Sequence, residues 1–125
     1  MNTLIDTSAW IEALRVKGNE EIRNTVKLLL QSGEARISEP ILLELFHGAR
    51  GKKELGAIKD LKESVPILKC SEDVYNKSYE FAVKLRSKGF TLPSIDILIY
   101  STAKYFNVPL FHNDSDFKFM EKVEF

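Results

Sequence analysis

The stretch "TLIDTSAWIEALR", Thr3 to Arg15, decides the fold because it places an acid where a short strand meets a helix. The apolar run from Thr3 to Ile5 predicts a strand. Residues that favour a helix N-terminus follow it directly: Asp6, Thr7 and Ser8. Apolar side chains then recur at helical spacing: Trp10, Ile11 and Leu14. We therefore expect a strand that ends, and a helix that begins, near Asp6.

The rest of the chain repeats this alternation of short apolar runs and amphipathic segments. The further predicted strands are Ala35–Ser38, Val65–Cys70, Val108–Asp114 and a last one at Val123–Phe125. The predicted helices are 19–33, 39–51, 71–89 and 93–106, with 52–64 as another helix or a continuation, and a short turn or helix after Asp114. This order predicts an α/β fold with a mostly parallel sheet.

Composition limits the class of protein. A chain of 125 residues with 44% apolar residues is expected to form one domain, 1–125, with its own core. Lysine plus arginine equals aspartate plus glutamate at 18 each, so the net charge gives no indication of nucleic acid but leaves room for a local basic patch. The single cysteine, Cys70, excludes an internal disulfide. Without a leader or a long apolar run, we expect a soluble, cytoplasmic protein with no membrane contact.

Four acids stand in apolar surroundings or at predicted strand ends. Asp6 follows the first strand and Asp114 follows the late strand, so both should lie at the same edge of a parallel sheet. Glu44 in "ILLELF" and Asp96 in "SIDILIY" lie on nearly apolar helices. Asp116 is close enough to Asp114 to join them. Such carboxylates repel one another unless a cation lies among them, and an all-oxygen set suits Mg²⁺ or Mn²⁺.

Each acid also has an ordinary structural interpretation. Asp6 could cap a helix, Asp114 could stabilise a turn, Glu44 could point to solvent, and Asp96 could pair with a lysine. If the acids converge on a divalent cation, the natural chemistry is hydrolysis of a phosphodiester or a phosphomonoester. No arrangement typical of a serine or cysteine nucleophile, no P-loop and no dinucleotide fingerprint occurs in the sequence.

Four blocks of the chain carry a resemblance to a known family: "LIDTSAWIE", "EPILLELFHGA", "LPSIDILIYSTAK" and "PLFHNDSDF". Together they resemble the PIN-domain ribonucleases and, more narrowly, the VapC-type toxins of toxin–antitoxin systems. The resemblance implies a three-layer α/β/α sandwich and a metal-dependent endoribonuclease. It implies Asp6, Asp96, Glu44 and Asp114 as metal ligands, Asp116 as a further catalytic acid and Ser8 as a supporting hydroxyl. It also implies a homodimer and a VapB-like antitoxin partner.

One position departs from the family pattern. Many members have threonine or serine two residues before the late acid, where this chain has His112. His112 could provide a hydrogen bond or contact RNA, and we favour the interpretation that it simply ends the strand.

Basic residues near the acids are candidates for holding RNA phosphates: Arg50, Lys52, Lys53, Arg86 and Lys88. For each of them a solvated helix end is the simpler interpretation. Aromatic residues could stack on bases but are expected mainly in the core: Trp10, Phe46 and Tyr100. The alternatives to a nuclease are a non-catalytic PIN-like RNA-binding domain, a metal-dependent regulatory domain and a phosphatase for small phosphoesters. The regulatory alternative is weak because "PILKCS" has no acceptor aspartate at its strand end.

Overall fold

The computed structural model describes all residues 1–125 and has four short strands and seven helices. The strands are β1 Thr3–Ile5, β2 Ala35–Ser38, β3 Ile67–Leu68 and β4 Leu110–Phe111. The helices are α1 Thr7–Leu14, α2 Glu20–Gln31, α3 Glu39–His47, α4 Gly51–Ser64, α5 Glu72–Ser87, α6 Ser94–Tyr105 and α7 Asp116–Met120. The predicted alternation of strands and helices is confirmed.

The four strands form one parallel sheet in the order β3-β2-β1-β4. Leu4 of β1 pairs with Arg36 on one side and with Leu110 on the other. The chain moves outward from β1 through β2 to β3 and then crosses back to β4. Right-handed crossovers place α1 to α4 on one face and α5 and α6 on the other. The three-layer α/β/α class is therefore confirmed.

Short-range signals explain where several helices begin and end. Asn19 caps α2 by accepting a hydrogen bond from the Ile22 N–H, and Ser71 caps α5 by accepting one from the Val74 N–H. Gly51 has φ +75° and starts α4 as a helix separate from α3. A side chain would be strained at that backbone angle.

Two strand predictions are too long and one is wrong. Val65–Cys70 contributes only Ile67–Leu68, since Pro66 has no N–H and joins the sheet only through its carbonyl, which accepts from Ile37 N–H. Val108–Asp114 contributes only Leu110–Phe111. Val123–Phe125 forms no strand; Val123 is buried in the core, and the Phe125 ring packs on the buried Phe81 ring from the surface, with centroids 5.1 Å apart.

The core lies between the sheet and both helix layers. It includes Leu45 and the two aromatic residues Trp10 and Tyr100, which are too buried to stack on bases. No helix of the structure combines the length and the apolar character that crossing a membrane requires.

Candidate metal centre

The acids lie at the carboxyl edge of the sheet, between β1 and β4. The Asp6 N–H donates to the Phe111 carbonyl oxygen at 2.9 Å, which fixes the end of β1 beside the end of β4. The direction of the crossovers reverses between these two strands. In open α/β sheets such a reversal leaves a crevice outside the carboxyl ends of the strands, where ligands bind.

Three aspartates form the tightest group at this edge. One carboxylate oxygen each of Asp96, Asp114 and Asp116 lies within 4.8 Å of the others, and all three residues are partly buried. Asp114 Oδ1 also accepts the Asp116 N–H at 2.9 Å, which holds the two acids of the β4–α7 turn in register. The structure thus brings Asp116, expected as a further acid, into the closest set.

Asp6 is the most buried acid of the site, at 3% exposure. Its Oδ2 accepts hydrogen bonds from the Ser8 N–H at 3.0 Å and from Ser8 Oγ at 2.6 Å. Its Oδ1 is buried and has no hydrogen-bond partner in the protein. An anionic oxygen without a partner in such a place is costly, so a proton or a cation at this atom would stabilise the site.

Ser8 connects two parts of the site. Besides donating to Asp6, its hydroxyl oxygen accepts the Asn113 N–H at 2.8 Å. One side chain in the first turn of α1 therefore fixes both the buried carboxylate and the loop that leaves β4. These are contacts that a supporting hydroxyl would make, and the supporting role of Ser8 stays a prediction.

Glu44 lies at the border of the site on α3, and its side chain is exposed. Its Oε1 accepts a hydrogen bond from Thr7 Oγ1 at 2.6 Å. The sequence indicates Thr7 only as a residue that favours a helix N-terminus, and its contact with Glu44 was not predicted. The signal that could have found it is the hydroxyl directly after the first acid, but the partner is 37 residues away and becomes adjacent only in the fold.

The electrostatics reflect the crowding of negative charge. Burial raises the pKa of Asp96 to about 7, and the nearby charges of Asp6, Asp114, Glu44 and Asp116 add to the shift. Burial also raises the pKa of Asp6, opposed by its hydrogen bonds from Ser8 and Thr7 and assisted by the charge of Asp114. These interactions place all five acids in one electrostatic group, although they come from four separate parts of the chain.

The donor set fits a hard divalent cation. Every candidate ligand atom is a carboxylate oxygen, which Mg²⁺ and Mn²⁺ prefer. Added positive charge would partner the buried Asp6 Oδ1 and would oppose the rise in the pKa of Asp96 that burial and the neighbouring carboxylates cause.

His112 accepts a hydrogen bond from the backbone of Asp114, a contact that was not predicted when His112 was expected only to end the strand. It follows β4 directly, and its Nδ1 accepts the Asp114 N–H at 3.3 Å. Its ring packs against buried Phe117, with ring centroids 4.9 Å apart. The residue thus ends the strand and also orients the backbone of Asp114.

The predicted basic residues are exposed and form no ion pairs: Arg50, Lys52, Lys53, Arg86 and Lys88. The first three lie at the start of α4 and the last two at the end of α5. Their free charges are compatible with phosphate binding, but they do not form a single group around the acids.

The structure is an α/β/α sandwich with a parallel sheet, and its acids lie at the edge where the direction of the crossovers changes. This fold and this site together define a class of proteins with a candidate metal site. The sequence matches the PIN domain family over residues 3–123. The chain belongs to the PIN-domain family.

Relatives found by sequence and by structure both support the assignment to the PIN-domain family. Ribonuclease VapC11 of Mycobacterium tuberculosis (strain H37Rv) is 31% identical over 124 residues, covering 96% of this chain and 92% of the relative. Among solved structures, VapBC2 from Rickettsia felis, bound to a DNA fragment from its promoter, has a TM-score of 0.77 at 25% identity over 94% of this chain and 92% of that one. VapBC-1 from nontypeable Haemophilus influenzae has a TM-score of 0.75 at 25% identity, covering 99% and 96%.

Proposed function

We propose that this protein is a divalent-metal-dependent endoribonuclease that hydrolyses RNA phosphodiester bonds and is the toxin of a toxin–antitoxin pair. The observation that carries the proposal is the group of Asp96, Asp114 and Asp116, whose carboxylate oxygens lie within 4.8 Å of one another. The buried, unpartnered Oδ1 of Asp6 lies at the same edge of the sheet, and the charge of Asp6 contributes to the raised pKa of Asp96. The site comprises Asp6, Glu44, Asp96, Asp114 and Asp116, with Asp6, Asp96, Glu44 and Asp114 as the proposed metal ligands.

The chain's own residues set the geometry of this chemistry. When bound, Mg²⁺ or Mn²⁺ supplies the positive charge that activates water and stabilises the phosphate oxygens. Ser8 fixes Asp6, Thr7 fixes Glu44, and the Asp116 N–H fixes Asp114. Because these hydrogen bonds exist before substrate arrives, the carboxylates need little rearrangement to bind the metal.

The relatives support the substrate class and the partner. The name of VapC11 describes a ribonuclease, and the titles of the Rickettsia and Haemophilus structures describe VapBC complexes. We therefore extend to this chain an RNA substrate and a VapB-like antitoxin as its partner. The proposal further includes a homodimer, an antitoxin that blocks the site and a cytoplasmic location.

The test of catalysis uses Asp6→Asn and Asp96→Asn with a defined single-stranded RNA, in the presence and absence of EDTA. Both variants and EDTA treatment should abolish cleavage, while Glu63→Gln, an exposed acid on α4, should cut like the wild type. Circular dichroism verifies that the variants fold. RNA cleavage by folded Asp96→Asn at the wild-type rate would refute the assignment.

A parallel assay separates the other candidate functions. A chromogenic phosphomonoester, incubated under the same conditions, should not be hydrolysed; turnover of it without RNA cleavage would favour the small-molecule phosphatase. The non-catalytic alternatives are not favoured, because none of the expected acids is missing from the site. A non-catalytic domain would bind RNA or a metal ion but would cleave neither the RNA nor the phosphomonoester.

The toxin role has its own readout in cells. Induced expression should arrest growth, and Asp96→Asn should remove the arrest. Co-expression of a small protein encoded beside this chain should also restore growth if it is the antitoxin.

A further inference from the structure

A basic groove lies beside the end of α5, away from the hydrogen bonds that organise the acids. Its volume is about 570 Å³. The residues that line it come from α5, from the segment before α6 and from the chain after α7: Lys84, Lys88, Phe90, Lys122, Val123 and Glu124. Lys88 was already a candidate from the sequence for holding an RNA phosphate.

The groove carries excess positive charge in a protein whose net charge is zero. Its three lysines are exposed, and none of them forms an ion pair. One carboxylate, Glu124, lines the groove, and Lys84 donates to the main-chain oxygen of Glu124 at 3.0 Å rather than to its side chain. Like charges that converge without neutralisation favour an anionic ligand.

An aromatic pair adjoins these charges. The Phe90 and Phe119 ring centroids are 5.9 Å apart, and Lys122 Nζ lies 5.0 Å above the Phe119 ring. Phe119 is 38% exposed, so part of its ring is available to a ligand. Cations beside an accessible aromatic ring are the combination that binds single-stranded nucleic acid, through phosphates and base stacking. An acidic peptide would use the lysines but not the ring.

Short segments of chain join the groove to the acid cluster. Lys122 follows Asp116 by six residues, and Phe90 precedes Asp96 by six. Six residues of fully extended chain span at most roughly 20 Å, so the groove lies within that distance of the cluster. A single strand whose phosphate enters the cluster can therefore place a nucleotide a few positions away in the groove.

We propose that this groove binds a single-stranded RNA segment a few nucleotides from the cleaved bond, with lysines on the phosphates and Phe119 on a base. The inference rests on the proposed ribonuclease function and adds the path of the substrate.

Binding is measured by fluorescence anisotropy of a labelled single-stranded RNA, with EDTA present and in the Asp96→Asn background so that no cleavage occurs. Lys88→Ala with Lys122→Ala should weaken binding by roughly tenfold or more at 0.1 M salt and lower the salt slope by about 0.7 per lysine. Phe119→Ala should weaken binding by about fivefold or more. Lys27→Ala, an exposed lysine on α2 with no ion pair, is the matched control and should bind like the parent.

The outcomes separate this inference from the proposed function. If the double lysine variant, folded by circular dichroism, binds RNA with the affinity and salt slope of Lys27→Ala, the groove inference is overturned even when the wild type cuts RNA. If the wild type cuts no RNA but the groove variants lose affinity and Lys27→Ala does not, the groove inference stands and the nuclease proposal fails. Equal losses in the groove variants and in Lys27→Ala would overturn the groove inference.

Discussion

At the residue scale, the hydroxyls that follow Asp6 matter more than the acid's capping role. Asp6 does cap α1 by accepting the Ser8 N–H, as its residue type predicts. The same carboxylate also receives the Ser8 hydroxyl, and Thr7 reaches across to Glu44. The first turn of α1 therefore orients acids from two elements, and the capping interpretation and the metal-site interpretation of Asp6 are compatible.

Thr7 gives the sharpest residue-level prediction. Thr7→Val keeps the side-chain shape but removes the donor to Glu44 Oε1, so Glu44 becomes free to point to solvent. Groups that orient metal ligands typically contribute 10–100-fold to metal affinity or activity, and we expect Thr7→Val to raise the Kd for Mg²⁺ by about tenfold. Isothermal titration calorimetry measures this value.

The controls keep that prediction specific to the hydroxyl. Thr7→Ser retains the donor and should bind Mg²⁺ like the wild type, and Thr25→Val removes a hydroxyl that bonds only within α2. An unchanged Kd in Thr7→Val would mean that the hydrogen bond to Glu44 does not orient a ligand.

At the element scale, the short loop from α1 to α2 is fixed by close backbone contact. The Glu12 side chain accepts the Asn19 N–H at 2.7 Å, and Asn19 in turn caps α2. Gly18 lies against the Glu12 carbonyl, where an added Cβ would be inside contact distance of a backbone atom. Position 18 therefore requires glycine because there is no room for a Cβ atom, and not because of the backbone angle φ.

Two glycine-to-alanine substitutions test that packing. Gly18→Ala should destabilise the protein by roughly 1–3 kcal/mol because the loop must move away from α1. Gly56→Ala, inside α4 with no atom near the added Cβ, should stabilise it by up to about 1 kcal/mol through helix propensity. Urea unfolding measures both, and equal effects of the two changes would contradict the close contact.

The sequence predicts helices better than strands in this protein. The caps at Asn19 and Ser71 are local interactions between neighbouring residues, so their signals are visible in the sequence. The strands have only two to four residues, and the sheet partners that define them are distant in the chain. Val123–Phe125 resembles a strand because Val123 is a core residue and the half-exposed Phe125 ring packs on Phe81, so both apolar residues have a role outside the sheet.

The same distinction separates the predicted and the missed parts of the site. Asp6 and Asp114 could be identified from the sequence because the carboxyl ends of parallel strands lie at the same edge of the sheet. The Thr7–Glu44 contact and the groove around Phe90 and Lys122 join segments far apart in the sequence. Such pairs carry no periodic pattern and emerge only from the packing of the helices.

At the scale of the whole molecule, the acid cluster opposes folding when no cation is present. Asp96 has a pKa of about 7 in the folded protein against 3.8 for the free side chain, so the folded state binds a proton that the unfolded state has already lost. The free energy of unfolding therefore falls as pH rises from about 4 to about 7 and levels off above the folded pKa. The raised pKa of Asp6 acts in the same direction.

A cation should reverse this dependence, because it competes with the proton for the same carboxylates. Mg²⁺ should raise the Tm more at pH 8 than at pH 5, and at a hundredfold excess over its Kd the gain is about 2.7 kcal/mol. Asp96→Asn should raise the metal-free Tm at pH 8 and lose most of the Mg²⁺ effect, whereas Glu63→Gln should change neither. Differential scanning calorimetry measures the Tm of each protein under four conditions: at pH 5 and at pH 8, with and without Mg²⁺. The prediction would be contradicted by a metal-free Tm that does not fall between pH 5 and pH 8, together with no effect of Mg²⁺ at pH 8. Such a result would mean that the carboxylates neither repel one another nor bind a cation, because both effects require carboxylates that lie close together.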